Sequence, residues 1–130
     1  MAHLLVVDDD EIARMILGGM LESADHQVTY ASDGQIAVDL YRQGTFAAVV
    51  LDMVMPVKSG LQTIRELLKL DPDTRIVTVS GVSDGDLALA TEIGAISVLR
   101  KPIERTELLE AVRSALERPP KRGREEPTGL

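Results

Sequence analysis

The stretch HLLVVDDDEIAR, residues 3–14, runs from apolar residues straight into four consecutive acids, Asp8, Asp9, Asp10 and Glu11. Leu4 to Val7 reads as a buried strand, and Ile12, Met15, Ile16 and Met20 follow at helical spacing. Asp10 fits the N-cap of that helix, and Glu11 suits its positive end. Capping does not account for Asp8 and Asp9 as well. Like charges this close repel: at about 4 Å and an effective dielectric near 20, a pair costs on the order of 4 kcal/mol. Something elsewhere in the chain has to offset that cost.

Further apolar runs lie at Phe46 to Leu51, Ile76 to Val79 and Ile96 to Leu99, with a weaker, half-polar one in QVTYA, residues 27–31. Helical stripes alternate with them. Ile36, Ala37, Leu40 and Tyr41 form one, Leu61, Ile64, Leu67 and Leu68 another, and Leu108, Leu109, Val112, Ala115 and Leu116 a last. The alanine-rich segment from Leu87 to Ile93 is a further helix, with Ser83 or Asp84 to cap it and Gly94 to end it. Strands that alternate with helices are parallel, because each helix returns the chain across a sheet face. Near-continuous apolar strands agree, since helices then cover both faces. The fold expected is α/β, a flavodoxin-like (βα)5 doubly wound domain with a five-stranded parallel sheet in the order 2-1-3-4-5, its weak second strand at an edge. The domain spans residues 1–118, and 119–130, PPKRGREEPTGL, reads as a polar tail or linker.

A chain of 130 residues buries a real core in one domain, and with three aromatics that core is aliphatic. The net charge of −7 opposes direct binding to nucleic acid or to anionic lipid. The absence of cysteine excludes disulfides and thiolate metal sites. No apolar run reaches the roughly 18 residues of a membrane span, and a cytoplasmic location is expected.

In such a fold, ligands bind where the C-terminal ends of the strands meet. Asp8 and Asp9 follow the first strand, Asp52 ends the third, Ser80 ends the fourth and Lys101 follows the fifth. Taken singly, Asp52 is as well explained as a turn residue, Ser80 better so, and Lys101 as solvated surface. Together they place three carboxylates, a hydroxyl and an amine on one edge of the sheet. Oxygen-only donors suit Mg²⁺, which relieves the repulsion and bridges to phosphate. One carboxylate can then attack a phosphoryl group and form an aspartyl-phosphate, with Lys101 and Ser80 on the phosphoryl oxygens.

Over residues 3 to about 118 the chain resembles the receiver domain of two-component response regulators. VVDDD is similar to the family's acid pair, VVLDMVMP with Gly60 to its phosphorylation segment, VS to its hydroxyl position and KP to its lysine–proline step. The resemblance implies that Asp52 is the phosphoacceptor and that Asp8, Asp9, Asp52 and the Val54 carbonyl bind Mg²⁺ or Mn²⁺. It also implies that Lys101 contacts the phosphoryl group, that Ser80 follows it on activation, and that the Lys101–Pro102 bond is cis. The implied phosphodonor is a sensor histidine kinase or a histidine phosphotransfer protein. A downstream protein would meet the face of the fourth helix, fifth strand and fifth helix, with Glu92, Val98, Arg100 and 101–105, Ile103 exposed among them. The same resemblance implies that the chain catalyses only its own phosphoryl transfer and loss and is otherwise no enzyme.

It departs from the family pattern in three ways. The switch position usually held by an aromatic is Val98, and the small residue after Ser80 is Gly81 where alanine is more usual, so a signal would travel through the Ser80–Gly81 loop. Val54 and Val82, two residues after Asp52 and Ser80, are apolar and cannot orient water, which implies slow self-dephosphorylation. Thirdly, no DNA-binding module follows the domain, so the chain acts by docking to other proteins or is a receiver from a longer regulator. The alternative function is a small Mg²⁺-dependent phosphohydrolase with an aspartate nucleophile, but such enzymes carry a second acid where Val54 stands. A flavin or nucleotide binder would need a glycine-rich loop after the first strand, which is absent.

Overall fold

A computed structural model describes residues 2–55, 57–81 and 84–119. Five strands, β1 (His3–Val7), β2 (Gln27–Ala31), β3 (Ala48–Asp52), β4 (Ile76–Ser80) and β5 (Ser97–Arg100), alternate with five helices. The helices are α1 (Glu11–Glu22), α2 (Gly34–Gln43), α3 (Gly60–Leu70), α4 (Asp84–Ile93) and α5 (Arg105–Leu116). Every pairing is parallel and the order is β2-β1-β3-β4-β5. The doubly wound fold expected from the apolar rhythm is the one observed. Of the expected tail, residues 120–130 lie outside the described residues, as do Ser83 and Val82.

Alternation along the strands divides the core into two layers. Leu5, Val7, Val49, Leu51 and Ile76 face α2, α3 and α4, whereas Leu4, Val6, Val50 and Val79 face α1 and α5. β2, at one edge of the sheet, buries only Ala31 fully, in line with its half-polar composition. Phe46 falls outside β3, which starts at Ala48. Its ring instead lies between His3, with centroids 4.5 Å apart, and Tyr41, at 6.1 Å. Ile96 likewise precedes β5, although its N–H still bonds the Ile76 carbonyl at 2.8 Å.

α3 and α5 bury the stripes expected of them, with Ile64, Leu67, Leu108, Val112 and Ala115 inside. α1 does not. Leu17, Gly18 and Leu21 face the core, while Ile12, Met15 and Ile16 are more than half exposed. Apolar residues occupy two sides of this helix, so spacing alone does not choose between them. The Tyr30 ring of β2 lies against Gly18 on this inward side, where a Cβ would come within 2.6 Å of its ring carbons. In α2, Val38 is buried and Ile36 is 40% exposed, a smaller rotation of the same kind.

Helix ends follow local chemistry. Asp10 caps α1 by accepting from the Ala13 N–H at 3.2 Å, and Ser59 caps α3 by accepting from the Gln62 N–H at the same distance. α4 stops at Gly94, whose φ of +128° suits glycine, with Ala95 N–H returning to the Ala90 carbonyl at 2.9 Å. The loop between β3 and α3 folds back on itself, Gly60 N–H bonding the Met53 carbonyl at 3.1 Å. A Cβ on Gly60 would lie 2.5 Å from Met53 Cα, which backbone cannot yield. Lys58, in the same loop, is buried and paired with Glu66 of α3 at 2.5 Å.

Val57, beside Lys58, has φ +68° and is 80% exposed. A β-branched residue in the left-handed region crowds its own backbone, at about 1–2 kcal/mol. Val57→Asn is expected to raise unfolding stability by about 1 kcal/mol, since asparagine tolerates this region. Urea denaturation checks it, and an unchanged or lowered midpoint would count against strain at this position.

Candidate functional site

Asp8 and Asp52 stand at the ends of β1 and β3, which pair in register Val7 to Leu51. Asp8 is fully buried and Asp52 is 5% exposed. The Asp8 N–H continues the ladder to the Ala31 carbonyl, and its Oδ1 accepts the Asp10 N–H at 2.9 Å. Asp52 Oδ1 accepts the Val54 N–H at 3.4 Å. Asp9 is exposed, yet its carboxylate joins the other two: one oxygen from each lies within 4.8 Å of the others. Topology therefore gathers all three expected acids.

Lys101 reaches across from the end of β5. Its Nζ lies 3.6 Å from Asp8 Oδ2 and 3.9 Å from Asp52 Oδ2. Its backbone is tied to β4 by the N–H bond to the Ser80 carbonyl at 3.1 Å, and the Lys101–Pro102 peptide is cis. Ser80 itself is fully buried. Gly81 is exposed, with room for a methyl group: a Cβ would meet Lys101 Cβ at 4.0 Å. Val54 is 56% exposed beside Asp52. Val98 is half-buried against the layer facing α2 to α4. Ile103 differs from expectation: it is partly buried, packed on the α1 and α5 side against the cluster of Leu4, Val6, Leu108 and Val112.

The electrostatics are unbalanced. Burial first, then the neighbouring charge of Asp8 and to a smaller degree that of Asp9, raise the Asp52 carboxyl from 3.8 to about 6, against the opposing pull of Lys101 and the Val54 N–H. Asp8 Oδ2 is buried without a hydrogen bond from any described residue. One lysine facing three carboxylates leaves excess negative charge. An orphaned buried oxygen within an all-oxygen donor set fits a hard divalent cation that keeps some of its water.

One contact was not anticipated from sequence. Arg14 Nη1 donates to the Asp8 carbonyl at 2.9 Å. The signal available was its place in the first turn of α1, where long side chains sweep back over the helix N-terminus.

Known proteins of this shape and pattern are response regulator receivers. Residues 4–113 match the sequence pattern of the response regulator receiver domain. CcdB of Bacillus subtilis is 35% identical, over 86% of this chain and 95% of its own length. CheY of Thermotoga maritima is 30% identical, over 85% and 93% respectively, whereas against CpxR of Escherichia coli, at 33% identity, this chain spans about half the relative's length, 50%. The crystal structure of a receiver domain protein from Clostridium thermocellum superposes with a TM-score of 0.85 at 29% identity, covering 89% of this chain and 94% of that one. The chain belongs to the response regulator receiver domain family, the signalling modules of two-component systems.

The Asp52 carboxyl carries a testable consequence. Below the unfolded value of 3.8 it is protonated in both states and costs nothing; above about 6 it is ionised in both, and the folded state bears the penalty. Asp52→Asn, measured without divalent cations, is therefore expected to be the more stable protein at pH 7.5. Its advantage should shrink as pH falls from 6 to 4. An advantage that does not vary with pH would show that the Asp52 charge is not strained.

Proposed function

We propose that this receiver accepts a phosphoryl group on Asp52 from a phosphohistidine donor, in a Mg²⁺- or Mn²⁺-dependent reaction, and alters its partner-binding face in response. The observation that carries the reading is the clustering of Asp52 with Asp8 and Asp9, with Lys101 within ion-pairing reach of Asp8 and Asp52. Asp8, Asp9, Asp52 and the Val54 carbonyl would hold the cation. When bound, it supplies positive charge to the transferring phosphoryl oxygens. A carboxylate oxygen of Asp52 forms the new bond to phosphorus as the phosphorus–nitrogen bond of the donor imidazole breaks, and the imidazole keeps the electron pair. Lys101 neutralises a second phosphoryl oxygen, and the Ser80 hydroxyl donates to a third. Ionised Asp52 is the nucleophile, the form that burial and the neighbouring Asp8 charge disfavour.

A donor protein has to reach the strand ends, and large apolar side chains are exposed on α1, at Ile12, Met15 and Ile16, and in the loop between β3 and α3, at Val54 and Val57. These suit a histidine kinase or a histidine phosphotransfer protein. The downstream partner would be a protein meeting α4, β5 and α5, where Glu92, Arg100 and Glu104 are exposed. No helix among the described residues is long and apolar enough to cross a membrane, in keeping with a cytoplasmic role. With Val98 half-buried already, the signal would pass through the Ser80–Gly81 loop instead of an aromatic flip. The position where a phosphohydrolase would carry its second acid presents exposed Val54.

Intact-protein mass after incubation with Mg²⁺ and acetyl phosphate tests the chemistry. One phosphoryl adduct is expected, absent from Asp52→Asn and from the metal-free control. An adduct that persists in Asp52→Asn would refute the assignment. Because Val54 cannot orient an attacking water, Val54→Asn is expected to hasten loss of the adduct. An unchanged loss rate, followed by mass over time, would remove that role from Val54.

A further inference from the structure

Arg14 lies four residues after the α1 cap, within six residues of Asp8, Asp9, Asp10 and Glu11. The ordinary expectation for such an arginine is an ion pair with one of them. Among the described residues it makes none. Its half-buried side chain donates instead to the Asp8 main-chain carbonyl at 2.9 Å, while its own N–H bonds the Asp10 carbonyl at the same distance. The carbonyl it holds belongs to the peptide that joins Asp8 to Asp9.

That peptide matters because the two acids are held differently. Asp8 is fixed by burial, by the bond from the Asp10 N–H to Oδ1 and by the ladder bond to Ala31. The Asp9 carboxylate is exposed and, among the described residues, accepts no hydrogen bond, yet it stands with Asp8 and Asp52 in the acidic cluster. Its direction therefore depends on the backbone from which it springs. Fixing the plane of the Asp8–Asp9 peptide fixes that direction.

We propose that Arg14 is a positioning residue that aims Asp9 into the acidic cluster through the Asp8–Asp9 peptide, and thereby strengthens divalent-cation binding. The proposal rests on the cation-binding reading above and assigns part of the affinity to a residue outside the carboxylates. Its sign is diagnostic. A positive charge beside a cation site weakens binding by repulsion, so removing it would tighten binding if charge were its only effect. A positioning role predicts the reverse.

The test is a double-mutant cycle on Mg²⁺ affinity, read by calorimetry or amide chemical shifts with the full chain. Arg14→Met keeps the aliphatic stem and its packing while removing donor and charge. It is expected to weaken Mg²⁺ binding by about tenfold, the lower end of what supporting residues contribute at metal sites. Arg14→Lys, which keeps the charge and one donor, should fall between Arg14→Met and wild type. In an Asp9→Asn background Arg14→Met should change the affinity little, because the group it aims has lost its charge. Unchanged or tighter binding by Arg14→Met in the wild-type background overturns the proposal. So does an equal loss in both backgrounds, which would mean that Arg14 acts through something other than Asp9. A wild-type chain that fails to bind Mg²⁺ overturns the cation reading itself, and this inference with it. The two failures are thus told apart by the wild-type titration.

Discussion

Two carboxylates that water barely reaches, Asp8 and Asp52, end neighbouring strands, and much of the site serves to hold them there. Buried like charges cost several kcal/mol unless an opposite charge or hydrogen bonds compensate, and here the compensation is partial. Lys101 faces both acids from the end of β5, the Asp10 N–H bonds Asp8, and the Val54 N–H bonds Asp52. What remains uncompensated appears as the raised Asp52 carboxyl and the orphaned Asp8 oxygen. The folded chain therefore carries unrelieved negative charge at this end of the sheet.

The surrounding elements limit how far those acids can move apart. The β1–α1 turn is closed by the Asp10 cap and by Arg14, whereas the loop after β3 is closed by the bond from Gly60 to Met53 and anchored by the Lys58–Glu66 pair. Strained backbone at Val57 lies within this second loop. Across the sheet, the Lys101 N–H bonds the Ser80 carbonyl and joins the ends of β5 and β4 beside the acids.

Two apolar features stand out near the sheet. Val98 of β5 is half-buried and packs on the layer that faces α2, α3 and α4. Ile12, Met15 and Ile16 of α1 are large, apolar and more than half exposed.

Much of this was legible in the sequence because it depends on rules that act locally. Apolar runs alternating with helical stripes imply a parallel sheet, and parallel connectivity brings Asp8, Asp9, Asp52, Ser80 and Lys101 to one edge whatever the packing in detail. Asp10 and Gly94 end their helices as residue type alone suggests. Other features belong to tertiary structure. Spacing could not say which side of α1 turns inward, since both are apolar; in the folded chain Leu17, Gly18 and Leu21 do. Nor could sequence show that Arg14, surrounded by acids, bonds a carbonyl instead, or that Phe46 leaves the strand to lie between His3 and Tyr41. Which residues meet at the site follows from the order of the strands, a property of the pattern. How far each carboxyl is from water and from its neighbour's charge depends on atoms brought together from distant parts of the chain, and only the folded structure sets it.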